Sequence, residues 1–104
     1  MSPSCELRFA VDHPTAAGHF PGNPIIPGAT LLDEVLLAVA EREGGTAGPC
    51  EIRSAKFLHP VRPGDRLLLR WEACAGGETR FECLLIDSER LALTGTVQLH
   101  AAAR

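Results

Sequence analysis

The sequence has few lysines and no cluster of basic residues. Lys56 is its one lysine, and the nine arginines are scattered along the chain. Ten basic residues against thirteen acidic residues give a formal net charge of −3. A protein that binds nucleic acid needs a basic patch that neutralises phosphates. The sequence therefore argues against nucleic acid as a partner.

Closely spaced cysteines are also missing. The four cysteines stand at positions 5, 50, 74 and 83, so none forms a C-x-x-C pair. This spacing argues against a zinc ribbon or a redox motif, although two disulfides are formally possible. The start of the chain lacks the basic residues and apolar run of a secretory signal peptide. We therefore expect a cytoplasmic protein whose reduced thiols are mostly small core fillers, with no bound metal.

No apolar run is long enough to cross a membrane. The longest, Val35–Ala40, is far shorter than the span of a bilayer. The 104 residues are 45% apolar and 22% charged, which is typical of a globular chain. This length provides one core, so we expect a single domain at residues 1–104 that does not enter a membrane.

The first half of the chain predicts a strand, a loop and a helix. Cys5–Asp12 alternates apolar and polar residues, as a half-buried strand does. His13–Gly28 is rich in proline and glycine and predicts a stiff loop. Thr30–Glu43 places apolar residues at helical spacing, and Thr30 with Asp33 resembles a capping box.

The second half predicts four strands. They are Cys50–Leu58, Arg66–Ala73, Thr79–Ile86 and Leu91–Leu99. Short connections, such as a hairpin turn at Gly76–Gly77, predict a mostly antiparallel sheet and an α+β fold. The helix is apolar nearly all round, but one sheet covers only one of its sides. We therefore expect a second copy of the chain to cover the rest, in a homodimer or a higher homo-oligomer.

Residues Gly18–Asp33 carry the groups best suited to chemistry. The loop holds His19, and an imidazole can act as a base near neutral pH. The helix start near Gly28 presents free N–H groups to a carbonyl oxygen on which negative charge develops. Asp33, about one turn further on, supplies an acid. One short segment thus provides a base, an acid and an oxyanion donor.

Two motifs resemble those of a known family. They are His19-Phe20-Pro21-Gly22-x-Pro24-Ile25-x-Pro27-Gly28, followed by an acidic residue at position 33, and Lys56-Phe57-x-x-Pro60-Val61-x-Pro63-Gly64-Asp65. Together they resemble the hotdog-fold 3-hydroxyacyl-(acyl carrier protein) dehydratases, in a compact branch. The resemblance implies one long buried helix wrapped by a five-stranded, mostly antiparallel sheet.

The resemblance also implies an activity. The enzyme would remove water from a 3-hydroxyacyl thioester on acyl carrier protein and form the trans-2-enoyl thioester, in fatty-acid or related acyl-chain biosynthesis. His19 would take the proton next to the carbonyl, and Asp33 of the partner subunit would help the hydroxyl leave. The Gly28 N–H would bind the thioester oxygen. These proton transfers need no cofactor.

The sequence departs from the commonest family pattern at two positions on the helix. The acidic residue is Asp33 where most members have Glu, and Leu37 stands where a Gln is usual. The natural acyl substrate is therefore left open. An acyl tunnel would be lined by three apolar residues that core packing explains equally well: Phe20, Ile25 and Ile26.

Most of these residues have a simpler interpretation beside the functional one. His19 could bridge loop segments, and Asp33 could serve only as the acid of the capping box. Glu34 competes for the acidic role but points about 100° away on the helix. His13 is interpreted as a loop residue and His59 as a surface or turn residue. Scattered cations that could dock an acidic carrier are Arg53, Lys56, Arg62 and Arg66.

Two other functions remain compatible with the fold. A hotdog thioesterase would use Asp33 to activate water, but it leaves His19 without a role. A non-catalytic acyl-binding partner of a larger synthase would need neither group, because a fold does not fix a function.

Overall fold

The structure is a computed structural model that describes residues 3–9, 25–42 and 50–99. These residues form five strands, one long helix and a short 3-10 turn. The elements are β1 (Ser4–Arg8), α1 (Gly28–Arg42), β2 (Cys50–Phe57), β3 (Arg66–Ala73), the 3-10 turn (Ala75–Gly77), β4 (Glu78–Leu85) and β5 (Leu91–Leu99).

The five strands form one sheet in the order β1-β3-β4-β5-β2. Every pairing between them is antiparallel. Alternation explains the two faces of the sheet, since Leu67, Leu69 and Trp71 of β3 point inward and are buried, while Arg70 between them is exposed. The predicted α+β fold with a five-stranded antiparallel sheet is confirmed.

The helix begins earlier than the sequence indicated. Its first backbone bond runs from the Leu31 N–H to the Pro27 carbonyl at 3.0 Å, and Gly28 is its first residue. Thr30 therefore lies inside the first turn and cannot cap it, so the predicted capping box is wrong. Pro27 fits the boundary because its fixed φ and missing N–H cost nothing at a helix start. The prediction that the helix reaches Glu43 lies outside the described residues.

One stripe of α1 packs on the inner face of the sheet. Leu31, Val35 and Val39 are buried there, at the spacing of one helix face. On another side, Leu37 is 41% exposed and Asp33 is exposed. A single chain thus covers only part of this apolar helix.

The inner face of β2 is uncovered as well. Ile52 pairs with Val97 and Phe57 with Leu93, and these two β5 residues are fully buried. Paired residues share a face, so Ile52 and Phe57 continue the apolar interior, yet they are 46% and 51% exposed. We call Ile52, Phe57 and the neighbouring exposed Leu58 the β2 apolar strip.

Gly95 allows β5 to pack against its neighbours, and its replacement should destabilise the fold. A Cβ at this position would overlap the Ser54 carbonyl oxygen and lie 2.6 Å from the Phe81 ring. We expect Gly95→Val to lower the free energy of unfolding by about 3 kcal/mol, measured by urea denaturation. The adjacent Thr94→Ala should cost well under about 1 kcal/mol. Equal effects of the two substitutions would contradict this packing.

Cys83 is buried in the core, as expected for a small core filler. Strand register places Cys5, Leu69 and Cys83 in one row across three strands. The two thiols are therefore two strands apart, at roughly 10 Å between Cα atoms, which is too far for a disulfide. Cys5, Cys74 and Cys83 are all free.

The free energy of unfolding should fall at alkaline pH because the Cys83 thiol is buried. Burial raises the pKa of this thiol from 9.0 to about 12, and Cys5 adds a smaller contribution. The folded state therefore holds the proton more tightly than the unfolded chain, so this stabilisation is complete below pH 9 and is lost as pH rises toward 12. We expect a downward slope approaching about 1.4 kcal/mol per pH unit in unfolding free energy. The slope should disappear in Cys83→Ala; an unchanged slope would contradict the assignment.

Candidate active site

An apolar cleft of about 480 Å³ opens beside the start of α1. Its walls come from the start of the helix and from the segment that follows β2. The lining residues are Ile25, Ile26, Gly28, Leu31, Phe57, Leu58, His59, Pro60 and Val61. The cleft thus joins residues from both sequence motifs.

Three predicted site residues meet in this cleft. Gly28 lies at the positive end of the α1 dipole, where backbone N–H groups have no partner within the helix. Ile25 and Ile26, proposed for an acyl tunnel, line its wall. Ile26 is also buried, so it packs in the core and lines the cleft at the same time.

Gly28 is held in close contact with β2. A Cβ at this position would lie 2.9 Å from the Phe57 ring, so a side chain here would displace that ring. The missing side chain therefore lets the Phe57 ring pack against the start of the helix.

Asp33 does not face the cleft of its own chain. It is exposed on α1, and it is absent from the cleft lining. Leu31, which does line the cleft, stands two residues earlier, and two residues correspond to about 200° of rotation around a helix. Asp33 therefore points to nearly the opposite side. Glu34 borders a separate groove of about 130 Å³ near Cys5.

The other predicted residues of the loop lie outside the described residues. These are His19, proposed as the base, Phe20, proposed for the tunnel, and His13. The described chain stops at Phe9 and resumes at Ile25.

Sequence reasoning missed several residues of the cleft. His59 was interpreted as a surface or turn residue, but it lines the cleft, with its Nδ1 2.8 Å from the Pro60 carbonyl oxygen. Phe57 and Val61 line it too. The second motif, which spans Lys56 to Asp65, was the available signal, because it contains all of these positions.

The four candidate docking cations differ in their surroundings. Arg53 lies 3.1 Å from Glu51, and Arg66 lies 3.3 Å from Asp87. For Lys56 and Arg62, the described part of the chain provides no ion pair. Both are exposed and adjoin the cleft-lining segment.

The described ranges contain no group of three or more His, Cys, Asp or Glu side chains arranged to hold a metal ion. No helix in them has the length and apolar character needed to span a membrane.

Comparison with known proteins gives the family. Residues 2–102 match the family described as ApeI-like, ApeI dehydratase. The 3-hydroxyacyl-[acyl-carrier-protein] dehydratase FabZ of Thermus thermophilus is 32% identical over 104 residues, covering 88% of this chain and 73% of that protein. FabZ of Anaplasma phagocytophilum is 36% identical over 69% of this chain and 58% of its own length.

Solved structures agree with the fold. The dehydratase heterocomplex ApeI:P from Xenorhabdus doucetiae superposes with a TM-score of 0.73 at 25% identity, over 93% of this chain and 85% of that one. The (R)-hydratase from A. caviae involved in PHA biosynthesis gives 0.64 at 17% identity, over 96% and 95% of the two chains. It supports the hotdog fold alone. With a family match across almost all of its length, this chain belongs to the ApeI-like dehydratases, which are hydro-lyases of the hotdog fold.

Proposed function

We propose that this protein removes water from a 3-hydroxyacyl thioester carried by acyl carrier protein, and so forms the trans-2-enoyl thioester in fatty-acid or related acyl-chain biosynthesis. The observation that carries the proposal is the apolar cleft with Gly28 at a helix N-terminus in its wall. An acyl chain fits the apolar walls, and its thioester carbonyl would lie at the helix start. The FabZ relatives, named as acyl-carrier-protein dehydratases, support the substrate class.

The proposed reaction transfers two protons and breaks one carbon–oxygen bond. His19 takes a proton from the carbon next to the thioester carbonyl, and the negative charge moves onto the carbonyl oxygen. The Gly28 N–H donates a hydrogen bond to that oxygen. As the double bond forms, the hydroxyl leaves with a proton from Asp33, and the product is water. No electron is gained or lost overall, so the reaction needs no redox cofactor.

A single chain does not complete this site, because Asp33 points away from its own cleft. We propose that a second copy supplies it through a two-fold homodimer interface. The β2 apolar strip supports this interface, since β2 is an edge strand whose Ile52 and Phe57 are exposed, as is Leu58 directly after it. The Xenorhabdus relative is a heterocomplex, so a different chain is the alternative occupant of this surface.

The proposed interface predicts that a charge on the β2 apolar strip separates the subunits. Ile52→Asp would bury an unpaired carboxylate there, at a cost of several kcal/mol. We expect sedimentation velocity to show the monomer at concentrations at which the natural protein is dimeric. Ile52 does not line the cleft, so its own site is left intact.

Leu91→Asp is the matched control, because Leu91 is 36% exposed but lies outside the strip. It should leave the dimer unchanged. A dimer that survives Ile52→Asp would rule out the β2 apolar strip as the interface.

Lys56 and Arg62 suit docking of an acidic carrier at the cleft. Both are exposed beside residues 57–61, which form one wall. Complementary charge would orient the carrier so that its acyl group enters the cleft. A substrate on acyl carrier protein, as in the names of the FabZ relatives, supports a cytoplasmic location for the proposed activity.

A turnover assay tests the proposed function. Purified protein is incubated with 3-hydroxyacyl groups of several chain lengths on acyl carrier protein, and products are identified by mass spectrometry. Dehydration retains the thioester and removes one water from the acyl chain. Release of free acid would instead identify a thioesterase. Unchanged substrate at all chain lengths would favour a non-catalytic acyl-binding partner.

A further inference from the structure

The turn after β2 is closed by two hydrogen bonds between Arg62 and Asp65. The Asp65 N–H donates to the Arg62 carbonyl at 3.1 Å. In return, the Arg62 N–H donates to Asp65 Oδ2 at 2.8 Å. Pro63 and Gly64 occupy the centre, and the φ of Gly64 is +91°. Proline followed by a glycine of positive φ is the arrangement of a type II turn, so its backbone path is well determined.

This turn and Val61, the residue before it, hold both chain ends that border residues 10–24. The Gly64 N–H donates to the Phe9 carbonyl at 2.8 Å, and Phe9 is the last residue described before that segment. The Val61 carbonyl accepts the Ile26 N–H at 2.7 Å, and Ile26 lies just after it. Phe9, Ile26 and Val61 are all buried. One rigid turn therefore fixes where the chain leaves β1 and where it enters α1.

The residues just before this turn form part of the cleft. Pro60 and Val61 line it, whereas Asp65 does not. The carboxylate of Asp65 is thus separated from any acyl group in the cleft and acts within the turn. Its contribution must therefore pass through backbone geometry.

We propose that Asp65 is a positioning residue for dehydration. It closes the turn next to Val61, whose carbonyl holds Ile26 just before α1, and so sets where the Gly28 N–H meets the thioester oxygen. This proposal rests on the proposed function. Reaction rates are sensitive to such placement, since a displacement of about 1 Å can cost about 100-fold.

The test compares Asp65→Ala with Asp65→Asn. Asparagine keeps a side-chain oxygen that can accept the Arg62 N–H, whereas alanine does not. We expect Asp65→Ala to lower kcat at least about tenfold with little change in KM, because the Gly28 N–H is displaced while the cleft persists. The kcat of Asp65→Asn should lie within about threefold of the value for the natural protein. The control is Asp87→Ala, which removes an exposed carboxylate from another turn and should leave kcat unchanged.

A second readout separates this proposal from the proposed function. Amide hydrogen exchange, followed by NMR, should be faster at Ile26 and Gly64 in Asp65→Ala but not in Asp65→Asn. If the natural protein forms no enoyl product, the proposed function fails, and the exchange rates alone decide whether Asp65 fixes the two chain ends.

Three results would overturn the positioning role. They are a natural kcat in Asp65→Ala, a failure of Asp65→Asn to restore kcat, and exchange at Ile26 and Gly64 that does not respond to Asp65→Ala. If Asp65→Ala does not fold, Asp65→Ser replaces it. Serine can accept the same N–H bond less well, so an intermediate kcat is expected, and a kcat equal to that of the natural protein counts against the proposal.

Discussion

Replacement of His19 by alanine is expected to lower kcat for dehydration by at least about 100-fold, because general-base catalysis contributes 100- to 10,000-fold in typical enzymes. The substitution removes the one group in the proposed mechanism that takes the proton next to the carbonyl. The thioester should still bind, so KM should change little. Steady-state kinetics with a 3-hydroxyacyl carrier substrate measure both quantities.

His13→Ala is the matched control for His19→Ala. It removes an imidazole from the same stretch of sequence, and the proposed mechanism gives it no role. Its kcat should stay within about twofold of the natural value, as expected for a change away from the reacting groups. Substantial turnover in His19→Ala would mean that another group removes the proton.

Replacement of Asp33 by asparagine is expected to lower kcat to a similar extent, by at least about 100-fold. Asparagine keeps the size of the side chain but cannot deliver an acidic proton to the leaving hydroxyl. Asp33 is exposed on α1 and Val35 beside it carries the packing, so stability should be nearly unchanged. Thermal unfolding monitors that stability alongside the kinetics.

Glu34→Gln provides the control for Asp33→Asn. Glu34 is also exposed on α1, but it faces a different groove. Its loss should leave kcat nearly unchanged. The Asp33→Glu variant, which restores the residue usual in the family, should retain part of the activity. If Glu34→Gln were the inactive variant, the acid would have been assigned to the wrong residue.

Much of the fold could be predicted because alternation and turn residues are local signals. β3 and β5 have the predicted bounds, since each is flanked by clear turn residues. The predicted hairpin at Gly76–Gly77 is a turn, and both glycines have positive φ. It is longer than two residues, however, because the chain forms a 3-10 turn from Ala75 and closes with the Cys74 N–H on the Glu78 carbonyl.

The uncovered face of β2 could not be predicted. A register shift between Ile52 and Ser54 interrupts the period of two, so the sequence pattern does not reveal which residues point inward. The faces become clear only from the pairing with β5. The β2 apolar strip, the main support for a dimer, was therefore not visible in the sequence.

The site could be predicted in part. Gly28, Ile25 and Ile26 are close in the chain and meet in one cleft as the first motif indicated. The separation of Asp33 from that cleft depends on which stripe of α1 packs against the sheet, and this is a property of the assembled fold. Short sequence distance between Gly28 and Asp33 therefore did not mean closeness in one chain.

Subunit mixing tests the central claim most directly. His19→Ala and Asp33→Asn, each inactive alone, are unfolded together and refolded as a mixture. In an equal mixture, half of the dimers are hybrids that contain one chain of each variant. If each site takes His19 from one chain and Asp33 from the other, one of the two sites in every hybrid is intact. Dehydration should then return to about a quarter of the natural activity, as two-fold symmetry requires. Sites built within one chain would stay inactive in every combination, and no recovery in refolded dimers would contradict the account.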